Sequence, residues 1–247
     1  MGKGTGERSA EAERRPHAQE ENDVGRAFEC GDRMAGYKLP YKPIHGVHFQ
    51  PWIGENYRKR RPRLLVIGMS HYDWDDRKCP EYFATNDVIQ SRVSGEWRRG
   101  AFFTNIVATC IGKLPTDEER EHFWRSVAFY NYIQEFVGDS PRLIHDPVLW
   151  ERAEPAFFAV LRRLRPELVL VIGLMNWNHI STLSVPAREV LKHAPERRYA
   201  EVCRYPTGEG CTALAFHVKH AAAGFNFRKF APFFRSVDKL VRSGSAN

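Results

Sequence analysis

Two aliphatic runs closed by glycine constrain this chain more than any other feature: the stretch from Arg63 to Gly68 (RLLVIG) and the stretch from Leu168 to Gly173 (LVLVIG). Neither shows the polar alternation of a strand with one wet face. Both faces must therefore be covered, which is the pattern of strands inside a parallel sheet. A strong helix pattern leads into the second run. Asp146 stands as N-cap and Pro147 in the first turn, and Leu149, Trp150, Ala153, Phe157, Val160, Leu161 and Leu164 fall on one stripe. Helix, short Arg165-Pro166 turn, aliphatic strand and glycine make a βα-type unit feeding a parallel sheet.

The rest of the chain extends this alternation. Residues 101–112 (AFFTNIVATCIG) have helical apolar spacing, and 126–136 (SVAFYNYIQEF) are strand-like in their aromatic and β-branched content. Thr116 with Glu119 forms a capping-box pattern ahead of a helix. Residues 212–218 (TALAFHV) read as a further strand. Phe230, Phe233, Phe234, Val237, Leu240 and Val241 then repeat at helical spacing. The expected fold is an α/β three-layer α/β/α sandwich with a central, mostly parallel four-stranded sheet. Residues 37–247 form a single domain in this reading, opening on an irregular Pro/Gly/aromatic segment. Residues 1–36 mix both charge signs with glycine and little periodic apolar content, and are expected to be a disordered or loosely attached arm.

Composition narrows the function. At 43% hydrophobic residues, the chain has the material for one sizeable core. No apolar run approaches 18 residues, so no membrane span is expected. A formal charge of +7 and an isoelectric point near 9.2 favour an anionic partner, nucleic acid first. The five cysteines (Cys30, Cys79, Cys110, Cys203, Cys211) are odd in number and show no CxxC, and no signal-peptide apolar region precedes them. That predicts free thiols in a reducing cytoplasm, either as buried structural thiols or with Cys203 facing Cys211 across a hairpin. Ten histidines without HExxH or other close ligand spacing predict no metal and no cofactor.

In open parallel sheets, ligands bind beyond the carboxyl ends of the strands. Four segments qualify: Gly68-Met69-Ser70-His71-Tyr72, Asn131, Gly173-Leu174-Met175-Asn176-Trp177, and Phe216-His217-Val218-Lys219-His220. Taken in order with the helix GAFFTNIVATCIG and the strand RPELVLVIG, they resemble the uracil-DNA glycosylase superfamily over most of residues 51–242. In that superfamily the first motif reads GQDPYH, GMNPG or GEAPG, the helix GxLLxxLLxxIG, the strand RPxVIVxLG and the second motif HPSxxxx. There are departures. Ser70 stands where an Asp or Asn positions water, His71 replaces a Pro, and His217 lacks the following Pro-Ser. The cysteine spacing of an iron–sulfur cluster is absent.

The resemblance implies an enzyme that flips uracil out of DNA and hydrolyses its bond to deoxyribose. Such a reaction puts negative charge on the departing base, and a donor aimed at the base oxygen meets that need. His217, as a neutral imidazole, is the candidate. Asn131, or its rival Asn105, would read the Watson–Crick edge. Tyr72 would exclude the thymine methyl. Phe83 would stack on the base, with Trp97, Phe102 and Phe103 as competitors. Ser70, His71 and Asp73 are candidates to orient water, and Gly68 and Met69 to present backbone N–H groups. Lys219 and His220, ahead of Gly224, Phe225 and Phe227, would grip phosphate and wedge the duplex. Arg58, Arg60 and Arg61 are expected either to contact phosphate or to form a solvated flank. The expectation is a monomeric, monofunctional DNA-repair glycosylase acting on uracil or other deaminated bases. Two alternatives stand beside it: a non-catalytic nucleic-acid-binding domain, and a serine esterase-type hydrolase using Ser70 and His217, although Tyr72 replaces the second glycine of GxSxG.

Overall fold

The computed structural model describes residues 39–72, 79–94, 100–138, 146–183, 188–190, 201–222 and 224–244. In chain order these contain strands β1 (Trp52–Ile53) and β2 (Leu64–Gly68) and a 3-10 turn (Glu81–Phe83). Helices α1 (Ala84–Val93), α2 (Ala101–Ile111) and α3 (Asp117–Ser126) follow, then β3 (Ala128–Asn131), α4 (Pro147–Leu164), β4 (Leu168–Ile172) and α5 (Leu174–Ile180). The chain ends with β5 (Arg188–Val190), β6 (Glu201–Gly208), β7 (Cys211–Val218) and α6 (Phe227–Arg242). The expected N-terminal arm, Cys30, Asp73 and Trp97 lie outside the described residues.

The strands form one sheet in the order β1-β3-β2-β4-β7-β6-β5. The inner strands β3, β2, β4 and β7 run parallel. β1 joins one edge antiparallel, and β6 and β5 join the other. The expected four-stranded sheet is therefore corrected to seven strands, of which the four expected ones are the parallel centre. The additional strands carry no aliphatic run. β1 has two residues inside a Pro/Gly-rich segment, and β6 alternates buried and open positions around Pro206.

Period-two alternation explains the layers. Leu64, Val66, Leu168, Leu170 and Phe216 point to one face, where they meet Ile89 of α1, Ile106 of α2, Trp124 of α3 and Phe233 of α6. Leu65, Ile67, Val169, Val171 and Ala215 point to the other, onto Phe157, Val160 and Leu161 of α4 and Trp177 of α5. Helices thus cover both faces, as the two aliphatic runs required.

The helix ends follow their sequence signals. Asp146 accepts a hydrogen bond from the Val148 amide at 2.9 Å and caps α4. Thr116 and Glu119 make both bonds of the capping box at α3. Gly112 ends α2 in the left-handed region that glycine tolerates. The strand expected within 126–136 is shorter, 128–131, because the chain beyond Asn131 leaves the sheet to run beside residues 68–71.

Among the described residues, Cys110 and Cys211 are free thiols. The hairpin register sets Cys203 against Ala215 and Cys211 against Gly208, so the two do not face each other. Cys203 is buried, whereas Cys211 is exposed rather than buried. Among the described residues, no helix is long and apolar enough to cross a membrane.

Candidate active site at the carboxyl edge of the sheet

β2 has its chain-order successors β3 and β4 on opposite sides. The chain leaves β2 toward β3 on one side and leaves β4 toward β7, β6 and β5 on the other, so the crevice position of open α/β sheets lies beyond the carboxyl ends of β2 and β4. Gly68 and Gly173 form its lips. A Cβ on Gly68 would overlap Asn131 Oδ1 and lie 2.9 Å from Phe129 Cζ, so glycine is what admits the amide. Gly173 has φ +99°, a backbone region open to glycine and strained for other residues.

Asn131 is held over Gly68 by donating Nδ2–H to the Ser70 carbonyl at 3.1 Å. Its own carbonyl accepts from Gln134 Nε2 at 2.7 Å. The amides of Tyr132 and Ile133 donate to Gly68 O and Met69 O, fixing the turn after β2. Across the crevice, the fully buried Asn176 of α5 donates Nδ2–H to the same Gly68 carbonyl at 3.0 Å. Its Oδ1 is buried and accepts no hydrogen bond. One carboxamide from each side thus converges on the end of β2.

The expected pairing of Asn131 with His217 is corrected by the register. Val171 stands opposite His217, and Gly68 opposite Asn131. Val171 belongs to the α4/α5 face, as does Ile67 immediately before Gly68. Alternation therefore sends His217 to that face and Asn131, with Phe129, to the other. His217 is 3% exposed and stacks on Trp177, with ring centroids 4.9 Å apart. Burial pushes its pKa down to about 4, against an opposing pull from Glu201, so it is neutral at physiological pH.

The imidazole that reaches the crevice is His220, two residues past β7. Its Cδ2 lies 3.9 Å from where a Cβ on Gly173 would stand. Its ring centroid is 5.3 Å from that of Phe102 in the first turn of α2. His220 is surface-exposed, yet packing against its neighbours lowers its pKa below the ordinary histidine range. Asn105 of α2 donates to the carbonyl of Ala221 at 2.9 Å and so holds the loop that carries His220. The Asn131 amide and the His220 imidazole overhang glycine tips of adjacent strands, about 4.8 Å apart across a ladder.

The other expected residues distribute as follows. His71 is buried, with Nε2 2.8 Å from Thr85 Oγ1 and its ring edge-on to Phe49, and its backbone bridges Phe136. It ties the loop after β2 to the head of α1. Tyr72 and Met69 pack, partly buried, against the α4/α5-side core. Burial raises the Tyr72 phenol pKa, against a lowering contact with the Ser70 side chain. The Ser70 hydroxyl is buried. Since β2 runs into an irregular segment, Ser70 does not stand at a strand-to-helix turn. Phe83 is buried beside Tyr82, with ring centroids 4.1 Å apart. Lys219 is exposed next to His220, whereas Phe225 stacks on Phe230 at 4.7 Å and Phe227 is buried, both as core residues.

Arg58, Arg60 and Arg61 precede β2 and lie at the amino edge, roughly 16 Å of strand away from the crevice. Arg60 is partly buried, bonding Pro62 O at 3.2 Å and Ser126 Oγ at 3.4 Å. Reasoning from sequence assigned Asn176 no individual role and His220 only a grip on phosphate. The first sits in the segment after the strand-closing Gly173. Counting strand parity back from Phe216 would have turned His217 inward and pointed to His220.

Among the described residues, no group of three or more His, Cys, Asp or Glu side chains is placed to hold a metal ion. No family model matches the chain, and no curated protein matches it. What the edge offers chemically is a neutral imidazole, a carboxamide and an aromatic ring around two glycine tips. Together these are suited to holding a flat, polar heterocycle.

Proposed function

We propose that the chain is a DNA N-glycosylase that extrudes uracil, or another deaminated base, into the carboxyl-edge crevice and hydrolyses its bond to deoxyribose. The observation that carries this reading is the convergence of Asn131 and His220 on the glycine tips of adjacent strands. The motif order that resembles the glycosylase superfamily supports it independently.

In this mechanism His220 replaces His217 as the donor. A neutral imidazole donates N–H to the oxygen where charge gathers as the base departs, and its lowered pKa keeps it in that form at neutral pH. Asn131 turns its carboxamide from the Ser70 carbonyl to the base, pairing with O4 and N3–H of uracil. Cytosine presents the reverse donor pattern and would leave those groups unsatisfied in a closed site. Phe102, packed beside His220, is the ring positioned to stack on the base. Water attacks the sugar carbon from the side of the Ser70 turn. The cation-like transition state does not demand a strong base.

The test is incubation of a labelled uracil-containing oligonucleotide with the protein in EDTA, followed by alkaline cleavage. Scission is expected with the wild type and should fall at least a hundredfold in His220→Ala and Asn131→Ala, the cost of losing an aimed donor. His217→Phe should retain it. Intact strands throughout would overturn the reading. The engagement of Asn131 by Ser70 favours one second reading, a domain that binds the strand without releasing a base. Salt-sensitive retention of the oligonucleotide without scission would identify it.

A further inference from the structure

A further concavity lies against the amino ends of the parallel strands. It is a groove of about 950 Å³ between the segment before β2, one side of α1, the last turn of α3 and the carboxyl end of α4. Seven of its seventeen lining residues are arginine, and Glu55 is the one acid among them. Small-molecule pockets are mostly apolar with a few placed polar groups. Here arginine is the commonest lining residue.

The arginines divide by partner. Arg61 and Arg63 lie 4.0 and 3.7 Å from Glu167, Arg125 bonds Glu121 and Glu55, and Arg165 bonds Glu209. Arg58, Arg162 and Arg163 are exposed and have no carboxylate partner among the described residues. Helix dipoles account for part of this arrangement, since α3 and α4 both end here and a cation near a helix carboxyl end is favourable. They do not account for Arg58 and Arg61, which come from a loop. Nor do they explain why cations from separate elements face one open trough. Unpaired guanidinium groups from separate elements lining one groove match a chain of phosphates, each able to take a bidentate pair of N–H donors.

We propose that this amino-edge groove is a second binding site, for the sugar-phosphate backbone of nucleic acid and independent of base identity. Its arginines come from segments at the amino ends of β2, β3 and β4, whereas Asn131 and His220 stand beyond the carboxyl ends. A strand held there is a different segment from one presenting a base to Asn131 and His220. The site does not rest on the glycosylase reading.

The experiment titrates the full-length protein against a fluorescent oligonucleotide without uracil, single- and double-stranded, over a series of KCl concentrations. Wild type is compared with the double variant Arg162→Gln/Arg163→Gln and with Arg162→Lys/Arg163→Lys. Both side chains are exposed, so the fold is retained, and circular dichroism melting checks this. The glutamine variant is expected to bind on the order of tenfold more weakly, with the slope of log K against log salt shallower by roughly 1.5. The lysine variant should keep the slope. Tripolyphosphate and polyglutamate serve as competitors. Unchanged affinity and slope in the glutamine variant would overturn the proposal. So would loss of tripolyphosphate or polyglutamate binding in that variant while the oligonucleotide binds as before. Base release from a uracil oligonucleotide is scored separately. Its absence together with a shifted salt slope would remove the glycosylase reading and leave the groove standing.

Discussion

Gly68 shows how one missing side chain can position another. Its absent Cβ is what allows the Asn131 carboxamide to lie across the end of β2. In Gly68→Ala the methyl would meet Asn131 Oδ1, and the amide would have to leave the Ser70 carbonyl. Overpacking of this kind costs about 1–3 kcal/mol, and urea unfolding should report that loss together with any loss of base release. His217 offers a second measurement. Its folded pKa of about 4 lies below the ordinary 6.5, so the unfolded chain takes up the proton first. The stability it contributes is therefore full above about pH 6.5 and declines as pH falls toward 4, by about 3 kcal/mol at the limit. Urea midpoints between pH 4.5 and 7.5 should fall on acidification. In His217→Phe the slope should shrink by close to one proton. The sequence placed both His217 and His220 at the end of one strand. Choosing between them required the parity of that strand against its neighbours, which only the ladder supplies.

Among the elements, those with a purely local cause were the most legible. The capping box at α3 and the Asp146 cap of α4 each depend on residues within one turn, and each formed as read. Thr116→Ala removes one of the two bonds of the box and should lower stability by about 1 kcal/mol in thermal or urea unfolding. Elements made by distant partners were hidden. β6 exists because β7 pairs with it through a tight turn at Glu209-Gly210, where both residues take positive φ. α5 is seven residues long and follows an aliphatic strand without a side-chain cap. Asn176, the residue that joins the two sides of the crevice, therefore sat in a segment with no helical signature of its own.

At the scale of the molecule, the two aliphatic runs became adjacent strands, β2 and β4, with helices on both sides. The parallel centre was legible because continuous burial leaves few other solutions. The spatial order of the strands was not, since it is set by which helix covers which face. Leu170 lies in β4 between the sheet and the α2/α6 layer and is fully buried. Leu170→Ala should cost about 2–5 kcal/mol, with the spread set by how far the layer collapses into the hole. The margins of the sheet carry a further consequence. β1 has two residues and β5 three, so the pairing surface narrows to stubs on either side of the described sheet. Among the described residues, a second copy arriving flank to flank finds two or three rungs to dock on at either border. Concentrated solutions should accordingly stay free of the ribbon-like association that longer open borders invite.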